Sequence, residues 1–183
     1  MSTLVFERGP PRDRFGLKGA RAAEWLMAHG IVVPMEPNTW ASSPAGGDDA
    51  LFVARLGIGE FFLEDTAGGG GLRGIAPAPE AHPPGVYPVL REDTAFLLAG
   101  EASCDVLAQV CDVNFADIKL ESHPVVLTLM IGVAVLVVPH APESEPHYRI
   151  WCDPTFAPYL EAAVGTVVGD CGGRLQAISR GRE

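Results

Sequence analysis

The sequence predicts an α+β fold: two pseudo-symmetric strand–helix–hairpin repeats, mostly antiparallel sheet, with helices on one side. Two observations predict it. The stretch "FGLKGARAAEWLMAHGIVV" (15–33) aligns with "FLLAGEASCDVLAQVCDVN" (96–114), placing Phe15 over Phe96, Leu17 over Leu98, Gly19 over Gly100 and Leu26 over Leu107. Each stretch leads to an apolar hairpin pattern, "LFVARLGIGEFFL" and "VLTLMIGVAVLVV", with Gly57 over Gly132. An internal repeat of this kind outranks any single motif. Pairing the copies about a pseudo-two-fold axis would bury both helices and close one sheet. The expected organisation is one domain over 1–173, with repeats at about 15–64 and 95–138, then a flexible tail at 174–183.

The first helix is expected from Gly19 to His29, with Ala22, Ala23, Leu26 and Gly30 on one face. Gly19 precedes it as Gly100 precedes the second helix (101–111). A glycine before a helix can hold a phosphate. The recurrence favours a geometric role instead, since Lys18 is matched only by Ala99. "PMEPNTW" (34–40) reads as an extended connector and 42–49 as a loop. Residues 50–65 read as a hairpin, and 66–88, rich in Gly and Pro, as a mobile or partner-ordered loop. Strands are expected at 94–100 and 148–153, and a second hairpin over 124–138 turning at Ile131 and Gly132. Asp153 and Pro154 should start the last helix, with Phe156, Leu160, Ala163 and Val167 on its buried face.

With 183 residues and a net charge of −10, the chain is a poor partner for nucleic acid or for an anionic membrane surface. The run "PVVLTLMIGVAVLVVP" (124–139) is too short to span a bilayer, and the N-terminus shows no secretory h-region. A cytoplasmic protein is the expectation. Cys104, Cys111, Cys152 and Cys171 form no C-x-x-C pair. Cys104 and Cys111 should share a helix face about 10 Å apart, as buried reduced thiols. The formal G-x-G-x-x-G at Gly69, Gly71 and Gly74 is followed by prolines and no helix, so it reads as chance.

His29, His82, His123, His140 and His147 are scattered; His140 and His147 could approach across a loop, but "PHAPESEPHY" reads as a polar connection. His29 suits the end of a helix. The carboxylate pairs Asp48–Asp49 and Glu64–Asp65 read as solvated turn residues. Trp25 and Trp40 read as core or interface. No catalytic, cofactor-binding or metal residue is assigned.

The stretches "GLKGARAAEWLMAHGIVVPMEPNTW", "VARLGIGEFFLED", "FLLAGEASCDVLAQVCDVNF" and "YRIWCDPTFAPYLEAAV", in this order and spacing, resemble the gamma subunit of heterotetrameric sarcosine oxidase. The resemblance runs from about Phe15 to Gly173. It implies a fold similar to the folate-binding domain of aminomethyltransferases such as the glycine cleavage T-protein. It implies alpha, beta and delta partner subunits that carry FAD, FMN, NAD and tetrahydrofolate and demethylate sarcosine oxidatively to glycine, a step of sarcosine catabolism and one-carbon metabolism. It implies a chain that is not itself catalytic. N-methylglutamate dehydrogenases use similar subunits, which leaves the substrate open. Aminomethyltransferases use an Asp in the strand region after the second helix, whereas "VVLTLMIGVAVLVV" has no carboxylate. The alternative is a free-standing folate-binding or aminomethyl-transfer protein.

Overall fold

The computed structural model describes residues 3–46, 49–66, 68, 70–72, 75, 82–140 and 146–176. Its elements run β1 Val5–Arg8, β2 Arg14–Lys18, α1 Ala22–Ala28, β3 Thr39–Gly46, β4 Asp49–Gly57, β5 Glu60–Asp65, β6 Tyr87–Leu90, β7 Thr94–Ala99, α2 Ser103–Val110, β8 Val126–Met130, β9 Val133–His140, β10 His147–Cys152, α3 Ala157–Asp170 and β11 Arg174–Gln176. The chain divides into two compact units. The first is Arg12–Glu92, and the second combines Met1–Pro11 with Asp93–Glu183.

In the first unit the sheet order is β3-β4-β5-β2-β6, antiparallel throughout. Its inner face carries Phe15, Leu17, Val53, Phe61 and Leu63, which pack against Ala22 and Leu26 of α1. These positions alternate along each strand, as a half-buried sheet requires. In the second unit the order is β11-β1-β7-β10-β9-β8, with only the β11–β1 pair parallel. Phe96, Leu98 and Ile150 on its inner face pack with Leu107 of α2 and Leu160 of α3. The α+β class and the antiparallel sheets with helices on one side agree with the expectation.

The repeat is real, and it is larger than the sequence suggested. Strand, helix and a three-stranded meander recur: β2, α1, β3-β4-β5 and β7, α2, β8-β9-β10. The sheet orders β3-β4-β5-β2 and β8-β9-β10-β7 are the same. Gly19 and Gly100 do the same work, at φ 128° and 117°. The N–H of Gly19 donates to Gly59 O at 2.9 Å and that of Gly100 to Pro146 O at 3.1 Å. Each acceptor directly precedes the third meander strand. A Cβ at Gly19 would stand 2.1 Å from Gly85 O, so only glycine fits.

The proposed hairpin match is off by one strand. "LFVARLGIGEFFL" forms β4–β5, whereas "VLTLMIGVAVLVV" forms β8–β9, whose topological counterpart is β3–β4. Both sequences are apolar with a central glycine, so local pattern cannot tell one meander turn from the next. The copies also build two sheets, not one closed sheet. The strand before each copy is exchanged. β1, which precedes β2, pairs with β7, and β6, which precedes β7, pairs with β2.

Smaller differences follow from local chemistry. Gly30 is exposed, unlike its buried match Cys111. The expected loop at 42–49 is largely strand β3, and the expected loop 66–88 ends in β6. Arg55 donates to the carbonyls of Pro34, Gly57 and Ile58, fastening the 34–40 connector to the β4–β5 turn. Asp153 caps a turn ahead of α3 through the Thr155 N–H at 2.8 Å, and the helix itself starts at Ala157 with Pro158 in its first turn. The buried stripe is therefore Ala157, Leu160, Val164 and Val168, and Phe156 is exposed. The tail expected to be flexible begins as β11, paired in parallel with β1. Residues 177–183 lie outside the described residues.

Candidate functional site

The least expected chemistry lies at the end of β5. Glu64 and Asp65 were expected in a solvated turn, yet both are fully buried. β5 does not stop at the apolar run but continues through both carboxylates. Strand alternation sends them to opposite faces. Glu64 shares a face with Phe62 and lies opposite Arg14 of β2 in register, with Arg14 Nε donating to Glu64 Oε2 at 2.5 Å. The same face carries a second, more open charge group: Glu60 accepts from Lys18 Nζ at 3.0 Å and from Arg91 at 3.3 Å. Arg91 also lies over the Phe62 ring at 5.8 Å.

Asp65 turns toward the glycine run. Its carboxylate accepts three backbone N–H bonds, from Gly68 to one oxygen and from Gly70 and Gly71 to the other, each at 2.8 Å. This accounts for Gly71 of the formal dinucleotide fingerprint; Gly69 and Gly74 lie outside the described residues. Leu72 is buried in the core just beyond. Part of the segment read as mobile or partner-ordered is thus held by the chain itself. A carboxylate with a glycine run starting three residues later was the available sequence signal, because successive glycine N–H groups can turn to one side and cradle an anion.

In the second unit, His140 and His147 meet. They are register partners on β9 and β10, with ring centroids 4.9 Å apart and nearly parallel. Burial first, then the neighbouring His147, Arg149 and His123, lower the His140 pKa to about 4. His140 is therefore held neutral at pH 7. Arg149 lies over the Trp151 ring at 4.5 Å. Among the described residues no three His, Cys, Asp or Glu side chains converge as a metal would require.

The four cysteines are free thiols. Cys104 Sγ lies 2.9 Å from the Tyr148 hydroxyl, whose pKa burial and this contact raise. Burial pushes the Cys152 thiol up to about 11, with Asp93 and Asp153 adding to it. His29 caps α1, its Nδ1 2.8 Å from Trp25 O and its ring against Trp25. Trp25 packs at the edge of the core, and Trp40, on β3, lies 5.6 Å from the Phe52 ring. Asp48 and the Asp49 side chain lie outside the described residues. Among the described residues no helix is long and apolar enough to cross a membrane.

No protein-family model and no curated protein sequence matches the chain. Solved structures do. Glycine cleavage system aminomethyltransferase T from Bartonella henselae matches with a TM-score of 0.69 and 17% identity, over 97% of this chain and 48% of that one. The chain thus spans about half the length of that aminomethyltransferase. Heterotetrameric sarcosine oxidase from Corynebacterium sp. U-96 matches with a TM-score of 0.64 and 19% identity, over 90% of this chain and 83% of the other. At such identities the likeness establishes the fold: that of an aminomethyltransferase region and of a sarcosine oxidase chain.

Proposed function

We propose that the chain is a non-catalytic, gamma-type subunit of a heterotetrameric sarcosine oxidase-like complex that demethylates sarcosine oxidatively to glycine. The observation that carries this reading is the fold match to a chain of such a heterotetramer over 83% of that chain's length. The fate of the buried carboxylates supports it. Glu64 is bonded to Arg14 and Asp65 to the glycine run, so both serve the fold. In this reading FAD, FMN, NAD and tetrahydrofolate belong to alpha, beta and delta partners, and the assembly is cytoplasmic.

The experiment is co-expression. Alone, the chain should purify colourless, without flavin, and should not oxidise sarcosine. With alpha, beta and delta subunits it should co-purify, and the complex should oxidise sarcosine or another N-methyl amino acid. Demethylation by the chain alone would overturn the proposal, as would a fully active complex that never retains it.

The aminomethyltransferase match, over 97% of this chain, favours a second reading: a free-standing folate-binding or aminomethyl-transfer protein. Isothermal titration with tetrahydrofolate separates the two. Micromolar binding by the isolated chain would promote the second reading.

A further inference from the structure

The glycine run after β5 is the motif that a subunit role leaves unexplained. Three of its backbone N–H groups converge on one carboxylate. Gly68 and Gly70 are both left-handed, at φ 73° and 82°, a conformation that side chains disfavour. Such a concavity of N–H groups attracts anions, commonly phosphate. Here the anion is the side chain of Asp65, fully buried. The base of the loop is fastened independently: the Thr66 N–H and hydroxyl both donate to Ala50 O, at 3.1 and 2.6 Å. Arg12 donates to Thr66 O. Leu72, buried in the core, holds the far side.

We propose that this run is a built anion site permanently occupied by the chain's own Asp65, and that this occupancy sets the loop's conformation. While Asp65 is in place the nest is closed to soluble anions, nucleotide phosphates included. Removing the side chain opens a site for a small carboxylate of the size of formate. This goes beyond the subunit reading and does not depend on it.

The test uses the full chain as wild type, Asp65→Ala and Asp65→Asn. The readouts are native trypsin cleavage after Arg73, two residues past the run in sequence, and thermal unfolding. Losing charge-assisted bonds should speed that cleavage about tenfold or more in Asp65→Ala, since a tenfold change needs the loss of only one typical bond. Formate should reverse the change saturably, compared with chloride at equal ionic strength. Asp65→Asn keeps the volume, so it should be cut faster than wild type but gain nothing from formate. Wild type should respond to neither formate nor inorganic phosphate. Wild-type cleavage rates in Asp65→Ala would overturn the proposal, as would formate acting no better than chloride, or saturable phosphate stabilisation of the wild type. Should Asp65→Ala fail to fold, Asp65→Asn decides: cleavage at the wild-type rate sinks the idea.

Discussion

The two copies share a topology and differ in chemistry at one buried cross-strand pair on the second face of their sheets. The bonds of Gly19 to Gly59 and of Gly100 to Pro146 align β5 with β10, so that Leu63 corresponds to Ile150, Glu64 to Trp151 and Asp65 to Cys152. The pairing strands agree: Phe15 faces Leu63, and Phe96 faces Ile150. On the inner face Phe15 and Leu63 match Phe96 and Ile150, apolar against apolar. On the second face, the buried Arg14–Glu64 ion pair of the first unit stands where the second has Ala95 beside Trp151. The Trp151 ring is itself covered by Arg149. After the strand, Asp65 gathers glycine N–H groups, while Asp153, one position later, caps the turn into α3. The same backbone therefore tolerates either a buried ion pair or an aromatic at one position, provided that every buried charge finds a partner.

The largest effect should come from cutting the chain between the copies. β1 and β6 are exchanged, so fragments 1–79 and 80–183 each lack a strand of their own sheet. Neither fragment should unfold cooperatively alone, and mixing them should restore cooperative unfolding by circular dichroism. A cooperative transition in the isolated 1–79 fragment would show that the exchange is dispensable and the copies are independent.

Next comes the ion pair. Glu64→Ala leaves Arg14 buried without its carboxylate and should cost about 3–5 kcal/mol in denaturant unfolding. Replacing both partners, Arg14→Met with Glu64→Leu, should recover most of the loss, because the matching site already works with apolar groups. If the double variant is no more stable than the single one, the equivalence of the two faces is false.

The paired glycines come third. Alanine at either position is strained by the left-handed φ and crowded by backbone, at about 2–4 kcal/mol. Gly19→Ala should cost more than Gly100→Ala, because the intruding Cβ would lie 2.1 Å from Gly85 O but 2.8 Å from Leu4 Cα. Equal melting temperatures for the two variants would contradict this.

The smallest effect is a pH dependence from His140 of the second unit; β4, the matching strand of the first, carries no histidine. The folded-state pKa of His140 is lowered to about 4 from 6.5, by burial first and then by His147, Arg149 and His123. Between these values the unfolded chain binds more protons, so stability rises with pH. The contribution is complete above about pH 6.5 and is lost as the pH falls toward 4. Discounted for partial solvent screening, it is about 1–2 kcal/mol. Comparing urea unfolding of wild type and His140→Leu at pH 7 and pH 5 checks it; an unchanged difference between the two pH values would remove His140 as its source.

Much of this fold was legible as pattern. The matched Gly19 and Gly100 anticipated two sharp strand-to-helix turns, and Leu26 and Leu107 are both buried under their helices. The strand at 94–100 and the turn at Ile131–Gly132 were visible for the same reason: spacing within ten residues sets which side chains share a face. Partnership between distant strands is not written in that spacing. It decided that β1 and β6 change places, and that "LFVARLGIGEFFL" is the second half of a meander while "VLTLMIGVAVLVV" is the first. It also decided the fate of Glu64 and Asp65. As sequence they are two acids before a glycine run, which reads as a turn in water. Only the register that sets Arg14 opposite Glu64, and the backbone path that returns Gly68, Gly70 and Gly71 to Asp65, supplies the bonds that let two carboxylates leave water. A buried charge is governed by what long-range folding brings to it, and that is decided by tertiary structure.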